Sequence, residues 1–227
     1  METYTRQVAQ TVTAQDDPQA RELLLRAFER TARWRADFPG FTATLSANDN
    51  GAEHRGTLNV TLPRTVEVSL PEAAVQQWAQ QQLASMVGHR AYRAFDQSDG
   101  KYVLTLGPEE VHPLGRLVLI HGDGMQSRYR VRDERILQIH RTMERVKFTI
   151  NIEDTTTTRD GKVLTTRFTV YYFATGTGQL TQVESFADDY LEVQGVVLPR
   201  LRRVTCVDDG DVKVRTLTLS DHALLGR

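Results

Sequence analysis

The chain has 227 residues, with 28 basic against 29 acidic residues and 40% hydrophobic residues. Domains typically contain about 100–200 residues, and all-β domains reach roughly 250, so this length predicts a single domain with its own core. A formal net charge of -1 argues against a nucleic-acid-binding protein, because such surfaces are normally strongly basic. Cys206 is the sole cysteine, which excludes an internal disulfide and a four-thiolate metal site.

Residues 1–16 are polar, and we predict that they form a flexible lead-in. No apolar run has the roughly 7–15 residues of a secretory signal or the roughly 20 residues of a membrane-spanning helix. The sequence therefore predicts a soluble, cytoplasmic protein with no membrane span. A mature chain whose signal peptide had been removed would give the same pattern.

Two segments have the spacing of amphipathic helices. The first begins at Asp17, an N-cap followed by proline at the first helical position, and ends before Pro39. The second spans Pro71–Gly88, with the glycine as its natural stop. Its glutamine-rich face is expected to be solvated.

Apolar and polar residues alternate over most of the remaining chain, which is typical of strands with one buried face. Phe41, Ala43 and Leu45 begin this period of two, and it recurs in strands up to residue 219. We predict an α+β fold that is mostly β, with one large curved antiparallel sheet and two main helices on its concave face. Residues 17–227 would then form a single half-barrel domain, an unclosed β-barrel.

Several motifs, taken in order, resemble a known family. Phe38-Pro39-Gly40-Phe41 follows the first helix, His112-Pro113-Leu114-Gly115-Arg116 follows an acidic turn, and Ser127-Arg128-Tyr129-Arg130-Val131 comes next. Over roughly residues 18–220 this order resembles the bacterial domain of unknown function 3386, which is frequent in cyanobacteria. That family has no established activity, so the resemblance implies a fold and not a reaction.

The C-terminal third is also similar, more distantly, to LolA-like lipoprotein carriers. The similarity lies in Asp189–Val193, the turn Gln194-Gly195 and Val196–Pro199, which look like the late hairpin of those carriers. It implies an unclosed barrel with a lid, in which a curved sheet wraps helices around an apolar cavity. The chain differs from the carriers in the inserted helix Pro71–Gly88 and in having no export signal.

The candidates for catalysis are His121, Asp123 and His140. A carboxylate can orient an imidazole as a general base, although Gly122–Gly124 also reads as an ordinary hairpin turn. The histidines form no zinc-binding motif, so we predict no metal and no cofactor. Because nucleophile motifs and glycine-rich phosphate loops are absent, enzyme activity stays uncertain, with the balance against it.

A basic stretch supplies candidates for ligand binding. Eight basic and four acidic residues lie between Arg116 and Lys147, and side chains two residues apart in a strand share a face. The face that carries the arginines of this stretch is either a solvated outer surface or an anion site. Some aromatic residues elsewhere in the chain would line a cavity. The ligand-binding candidates are Trp78, Phe148, Arg116, Arg128, Arg130 and His112.

The leading hypothesis is a carrier that binds a small hydrophobic or amphipathic ligand, of the lipid, isoprenoid or pigment class, in the cavity of the curved sheet. One alternative is a cofactor-independent enzyme that uses His121, Asp123 and His140 in the same cavity. A second alternative is a protein–protein interaction module that uses an exposed sheet edge or the first helix. We expect no nucleic-acid partner, and the sequence leaves the oligomeric state open.

Overall fold

The computed structural model describes residues 14–63 and 65–226, so most of the predicted lead-in lies outside the described residues. Within them the helices and strands follow in this order: α1 (Pro18–Arg30), β1 (Gly40–Asp49), β2 (Ala52–Thr61), β3 (Thr65–Ser69), α2 (Ala73–Arg90), β4 (Val103–Leu106), β5 (Arg116–His121), β6 (Arg128–Arg132), β7 (Arg135–Thr142), β8 (Val146–Thr157), β9 (Val163–Ala174), β10 (Leu180–Val193), β11 (Val196–Asp208) and β12 (Asp211–Leu224). Two short 3-10 turns, Phe95–Gln97 and Asp99–Lys101, lie between α2 and β4.

The twelve strands form one antiparallel sheet in the order β3-β2-β1-β12-β11-β10-β9-β8-β7-β6-β5-β4. Neighbouring strands also follow one another along the chain, except where β1 pairs with β12 and places Phe41 opposite Leu224. The edge strands β3 and β4 do not pair with each other, so the sheet stays open. The predicted α+β class, with two main helices and one unclosed antiparallel sheet, is confirmed.

The helix α1 begins where the sequence predicts, because the Asp17 carboxylate accepts a hydrogen bond from the Gln19 N–H at 2.8 Å. Its buried residues pack against the ends of β4 to β7, and together these residues form the α1 core. The buried members of that core are Ala20, Leu24, Ala27, Phe28, Phe95, Leu104, Val118, Ile120, Tyr129 and Val131.

The helix α2 packs at the other end of the sheet. Its buried residues Val75, Ala79, Leu83 and Val87 meet the inward side chains of β1, β2, β3 and β12 in the α2 core. Among the described residues, no helix is both long and apolar enough to cross a bilayer. We call the sheet face that carries the two cores the inner face, and the opposite one the outer face.

The predicted end of α2 at Gly88 is wrong, because the helix continues to Arg90. The last turn of α2 is stabilised by a contact with the segment after α1. The Arg90 side chain is buried, and the Arg90 carbonyl accepts a hydrogen bond from the Trp34 N–H at 2.8 Å. A tertiary contact therefore overrides the tendency of glycine to end a helix.

The segments that flank the sheet bond to its two edges. The Val68 N–H of β3 donates to Gln80 at 3.0 Å, and the Leu70 N–H just beyond it donates to Gln76 at 2.9 Å. At the other edge, the Leu104 N–H donates to the Asp16 carboxylate at 2.9 Å, and its carbonyl accepts from Asp17 at 2.8 Å. The expectation of a solvated glutamine face on α2 is wrong at these positions, because two glutamines there bind backbone groups of β3 and the residue after it.

Two glycines give a test of these backbone constraints. A Cβ at Gly88 would meet nothing within 4 Å, so Gly88→Ala should raise the free energy of unfolding by about 0.5–1 kcal/mol. Gly40 has a φ of +128°, and a Cβ there would lie 1.9 Å from the Val60 carbonyl oxygen. Gly40→Ala should therefore lower the free energy of unfolding by more than about 1 kcal/mol. Urea denaturation of both variants measures the difference, and equal effects would contradict the described backbone.

Candidate functional site

The middle of the inner face is covered least by the helices. The main contacts of α1 are with β4, β6 and β7, whereas those of α2 are with β1 and β3. Between them lies a small central cluster of Val170, Phe186 and Val204, and beside it a cavity of about 180 Å³. We call this space the inner cavity.

The wall of the inner cavity is mainly apolar. Ile139 on β7 lies opposite Ile150 on β8, and Ile152 lies opposite Phe168 on β9, so these four side chains share the inner face. The remaining apolar contributions come from the helix ends and from β7 and β9: Ala32, Met86, Ile136, Val163 and Leu164.

Basic side chains outnumber acidic ones around the same cavity. The charged lining residues are Arg33, Arg90, Arg93, Arg135 and Arg202 against Glu134 and Asp188. Arg202 binds both carboxylate oxygens of Asp188, at 2.8 and 2.6 Å, with side chains only 5% and 2% exposed. A further N–H of Arg202 donates to the Gln82 carbonyl at 3.2 Å, so the groups of this pair have their partners within the protein.

Among the arginines that line the cavity, Arg33 and Arg90 have buried donors without a partner in the described part of the chain. Arg90 is 6% exposed and donates one N–H to the Val197 carbonyl at 3.3 Å, while Arg33 donates one to the Phe28 carbonyl at 2.6 Å. Nε and Nη1 of Arg90 and Nε of Arg33 are buried and find no hydrogen-bond partner among the described residues. Burial lowers the pKa of each guanidinium to about 10, so both stay charged at neutral pH.

A larger cleft of about 740 Å³ adjoins the cavity and shares Ala32, Arg33 and Arg90 with it. The far wall of the cleft is formed by the β8–β9 and β10–β11 turns and by residues 224–226. The two arginines therefore lie at the junction between an open cleft and an apolar cavity.

His89 also lines the inner cavity. More than a third of the residue's surface is exposed, while the protein around its cavity side removes water from the ring. Burial is the largest cause that lowers the pKa of His89 to about 4, and the positive charges of Arg93, Arg202, Arg141 and Arg33 add to it. The imidazole is therefore neutral at pH 7, in a strongly positive environment.

The predicted catalytic residues do not line the inner cavity. His121 Nε2 lies 2.8 Å from Thr105 Oγ1, and Asp123 accepts the Met125 N–H at 3.0 Å, as a turn carboxylate does. His140 bonds to Thr149 through Nδ1 at 2.9 Å, and its neighbour Ile139 is the residue that points to the cavity.

The predicted ligand-binding residues also lie elsewhere. Arg128 faces outward opposite His140, and Arg130 forms an ion pair with Glu110 at 2.7 Å. Arg116 donates to the Pro108 carbonyl at 3.4 Å, and His112 accepts the Leu114 N–H at 3.1 Å.

Trp78 and Phe148 lie on the inner side, packed against the central cluster beside the cavity. None of the six ligand-binding candidates lines the inner cavity, and their role in binding stays a prediction.

The sequence interpretation missed Arg33, His89, Arg90 and Arg202. A pattern for Arg90 is visible, because it extends the apolar helical stripe of Leu83 and Val87 by one further turn. Arg33 falls within the predicted first helix, on its charged side, but α1 ends at Arg30, so the residue lies in the segment after the helix.

Nearly the whole chain is similar to a known protein family. Residues 15–225 match the family model described as a protein of unknown function, DUF3386. The chain belongs to this family. This match confirms the family resemblance that the motifs predicted. No curated protein matches the chain.

A solved structure is also similar to this DUF3386 member: a domain described as an outer membrane lipoprotein-sorting protein from Vibrio parahaemolyticus. The two share 11% identity and a TM-score of 0.39, and the match covers 92% of this chain and 93% of that one. A TM-score of this size supports no transfer of ligand or activity, so the site rests on its own geometry.

The buried pair Arg202–Asp188 of this DUF3386 chain should be strongly coupled. Arg202→Met leaves the Asp188 carboxylate buried without its partner and should lower the free energy of unfolding by about 3–5 kcal/mol. The double variant Arg202→Met, Asp188→Leu should recover most of this loss. Urea denaturation of the two single variants and the double variant measures the coupling, and additive losses would contradict it.

The low pKa of His89 gives a second test. Its folded pKa of about 4 lies below the usual 6.5, so the stability it contributes is complete above pH 6.5 and is lost as the pH falls towards 4. His89→Gln should therefore flatten the pH dependence of the free energy of unfolding within this window. An NMR titration of the His89 ring should show it neutral at pH values near 5.5, and a midpoint near 6.5 would exclude the described environment.

Proposed function

We propose that this protein binds a small hydrophobic or amphipathic molecule in the inner cavity. The observation that carries the proposal is the apolar space of about 180 Å³ between the helix ends and strands β7 to β11. A ligand that covers the apolar side chains of this wall removes their surface from water, which favours binding by roughly 25 cal/mol per Å².

The position of the cavity supports binding more than an unfilled packing defect. Its wall is built from isoleucine and phenylalanine side chains in register on adjacent strands, and it meets the cleft at Ala32, Arg33 and Arg90. A ligand would therefore reach the apolar wall of the cavity from solvent through the cleft. The lipid, isoprenoid or pigment class of the ligand stays a prediction, as does a cytoplasmic location.

Binding is favoured over catalysis by the surroundings of the titratable groups. His121 and His140 each bond to a threonine hydroxyl, and the Asp123 carboxylate is occupied by turn N–H groups. Of the groups that line the cavity, Asp188 is paired with Arg202, and His89 accepts a proton only in acid. Nothing in this arrangement supplies a poised acid–base pair at the ligand.

A cavity-filling substitution tests the proposal. Wild-type protein should bind the neutral probe N-phenyl-1-naphthylamine, and Ile150→Trp should weaken that binding about tenfold or more, because the larger ring occupies the cavity. Probe fluorescence, excited outside the tryptophan band, gives the affinity.

The matched control is Asn151→Trp, the neighbouring position on the same strand, whose side chain points to the outer face. This variant should bind the probe as wild type does, and thermal melting should show both variants folded. Equal probe binding by wild type and Ile150→Trp would refute the inner cavity as the binding site.

A further inference from the structure

We infer that the ligand carries an anionic head group, which Arg90 and Arg33 bind at the junction of the cleft and the inner cavity. The inference rests on the proposed function and adds the chemical class of the ligand. It starts from three buried guanidinium nitrogens that have no acceptor among the described residues.

Arg90 is held in place without being satisfied. Its guanidinium carbon lies 5.2 Å from the centre of the Trp34 ring and 5.6 Å from that of Tyr190. Such rings attract the charge through their faces, but they accept none of the in-plane N–H bonds. A buried donor without an acceptor is costly, and an incoming anion would remove that cost in both arginines at once.

Several of the neighbouring charged groups already have partners. In the cleft, Arg35 pairs with Asp37 at 3.0 Å, Arg159 pairs with Glu192 at 2.9 Å, and Lys162 donates to the Glu29 carbonyl at 2.8 Å. In the cavity, Asp188 is bound by Arg202. The buried donors without a partner at this junction are those of Arg33 and Arg90, while the nearby Asp160 carboxylate of the cleft accepts a hydrogen bond from the Thr158 hydroxyl.

The surroundings of the two arginines also fix the rest of the ligand. Beyond them lie Ile139, Ile150 and Ile152 and the ring of Phe168, which suit an aliphatic chain and offer no polar partner. The ligand is therefore an amphiphile with one anionic group, either a carboxylate or a phosphate ester, since a planar guanidinium binds both.

The experiment compares three probes with the same eight-carbon chain: octanoate, octyl phosphate and octanol. Each competes with N-phenyl-1-naphthylamine on the full-length protein at fixed ionic strength. At least one anion should displace the naphthylamine about tenfold more strongly than octanol, because charged hydrogen bonds replace unmade ones. The ratio between octanoate and octyl phosphate identifies the head group.

Arg90→Met should remove most of this preference, and Arg33→Met should reduce it, while octanol affinity changes much less. The matched control is Arg26→Met, which removes one positive charge from the exposed face of α1 outside the cavity and should keep the full preference. Thermal melting checks that each variant is folded, and the wild-type ratio stands as a test even where a variant does not fold.

The possible results separate the two proposals. If the naphthylamine binds in the cavity but wild type binds octanol as tightly as both anions, the anionic head group is refuted and the proposed function stands. If the preference survives Arg90→Met and Arg33→Met in folded protein, binding by these arginines is refuted. If wild type binds none of the four molecules, both proposals fall.

Discussion

Two helices are too narrow to cover the whole inner face of a twelve-stranded sheet, and the rest of the structure depends on this difference in width. A helix with its side chains is roughly 10–12 Å wide, and strands lie about 4.8 Å apart, so one helix covers little more than two strands. The helices α1 and α2 therefore cover the two ends of the inner face and leave its middle to other groups. The cavity, the central cluster and the buried charges all lie in that middle region.

Buried arginines lie beside the apolar side chains of this region. The long stem of an arginine covers apolar surface while its guanidinium bonds in a plane, so it fits where neither a helix nor solvent is available. Arg202 achieves this with Asp188 and also packs 5.3 Å from the Phe186 ring. Arg90 packs between two aromatic rings but lacks a carboxylate partner, and this difference separates a structural arginine from a binding one.

Local sequence patterns predicted the fold, but they did not reveal which residues line the inner cavity. Capping by Asp17 and the alternation of strands such as β8 depend on neighbours along the chain, so they are visible in the sequence. Alternation also shows that Arg128 and Arg130 share a face, but it does not show which face of the sheet meets the helices. The cavity joins Arg33, Arg90 and Ile150, which are far apart in the chain, and no spacing motif connects them.

Both edges of the sheet are occupied by the chain itself. Glutamine side chains of α2 take the free backbone groups at β3, and Asp16 and Asp17 take those of Leu104 in β4. An extended peptide or a second copy of the sheet joins an edge by pairing with these same groups. Growth of the sheet by strand addition at these positions would first require α2 or the start of α1 to be displaced, so the fold terminates its own sheet there.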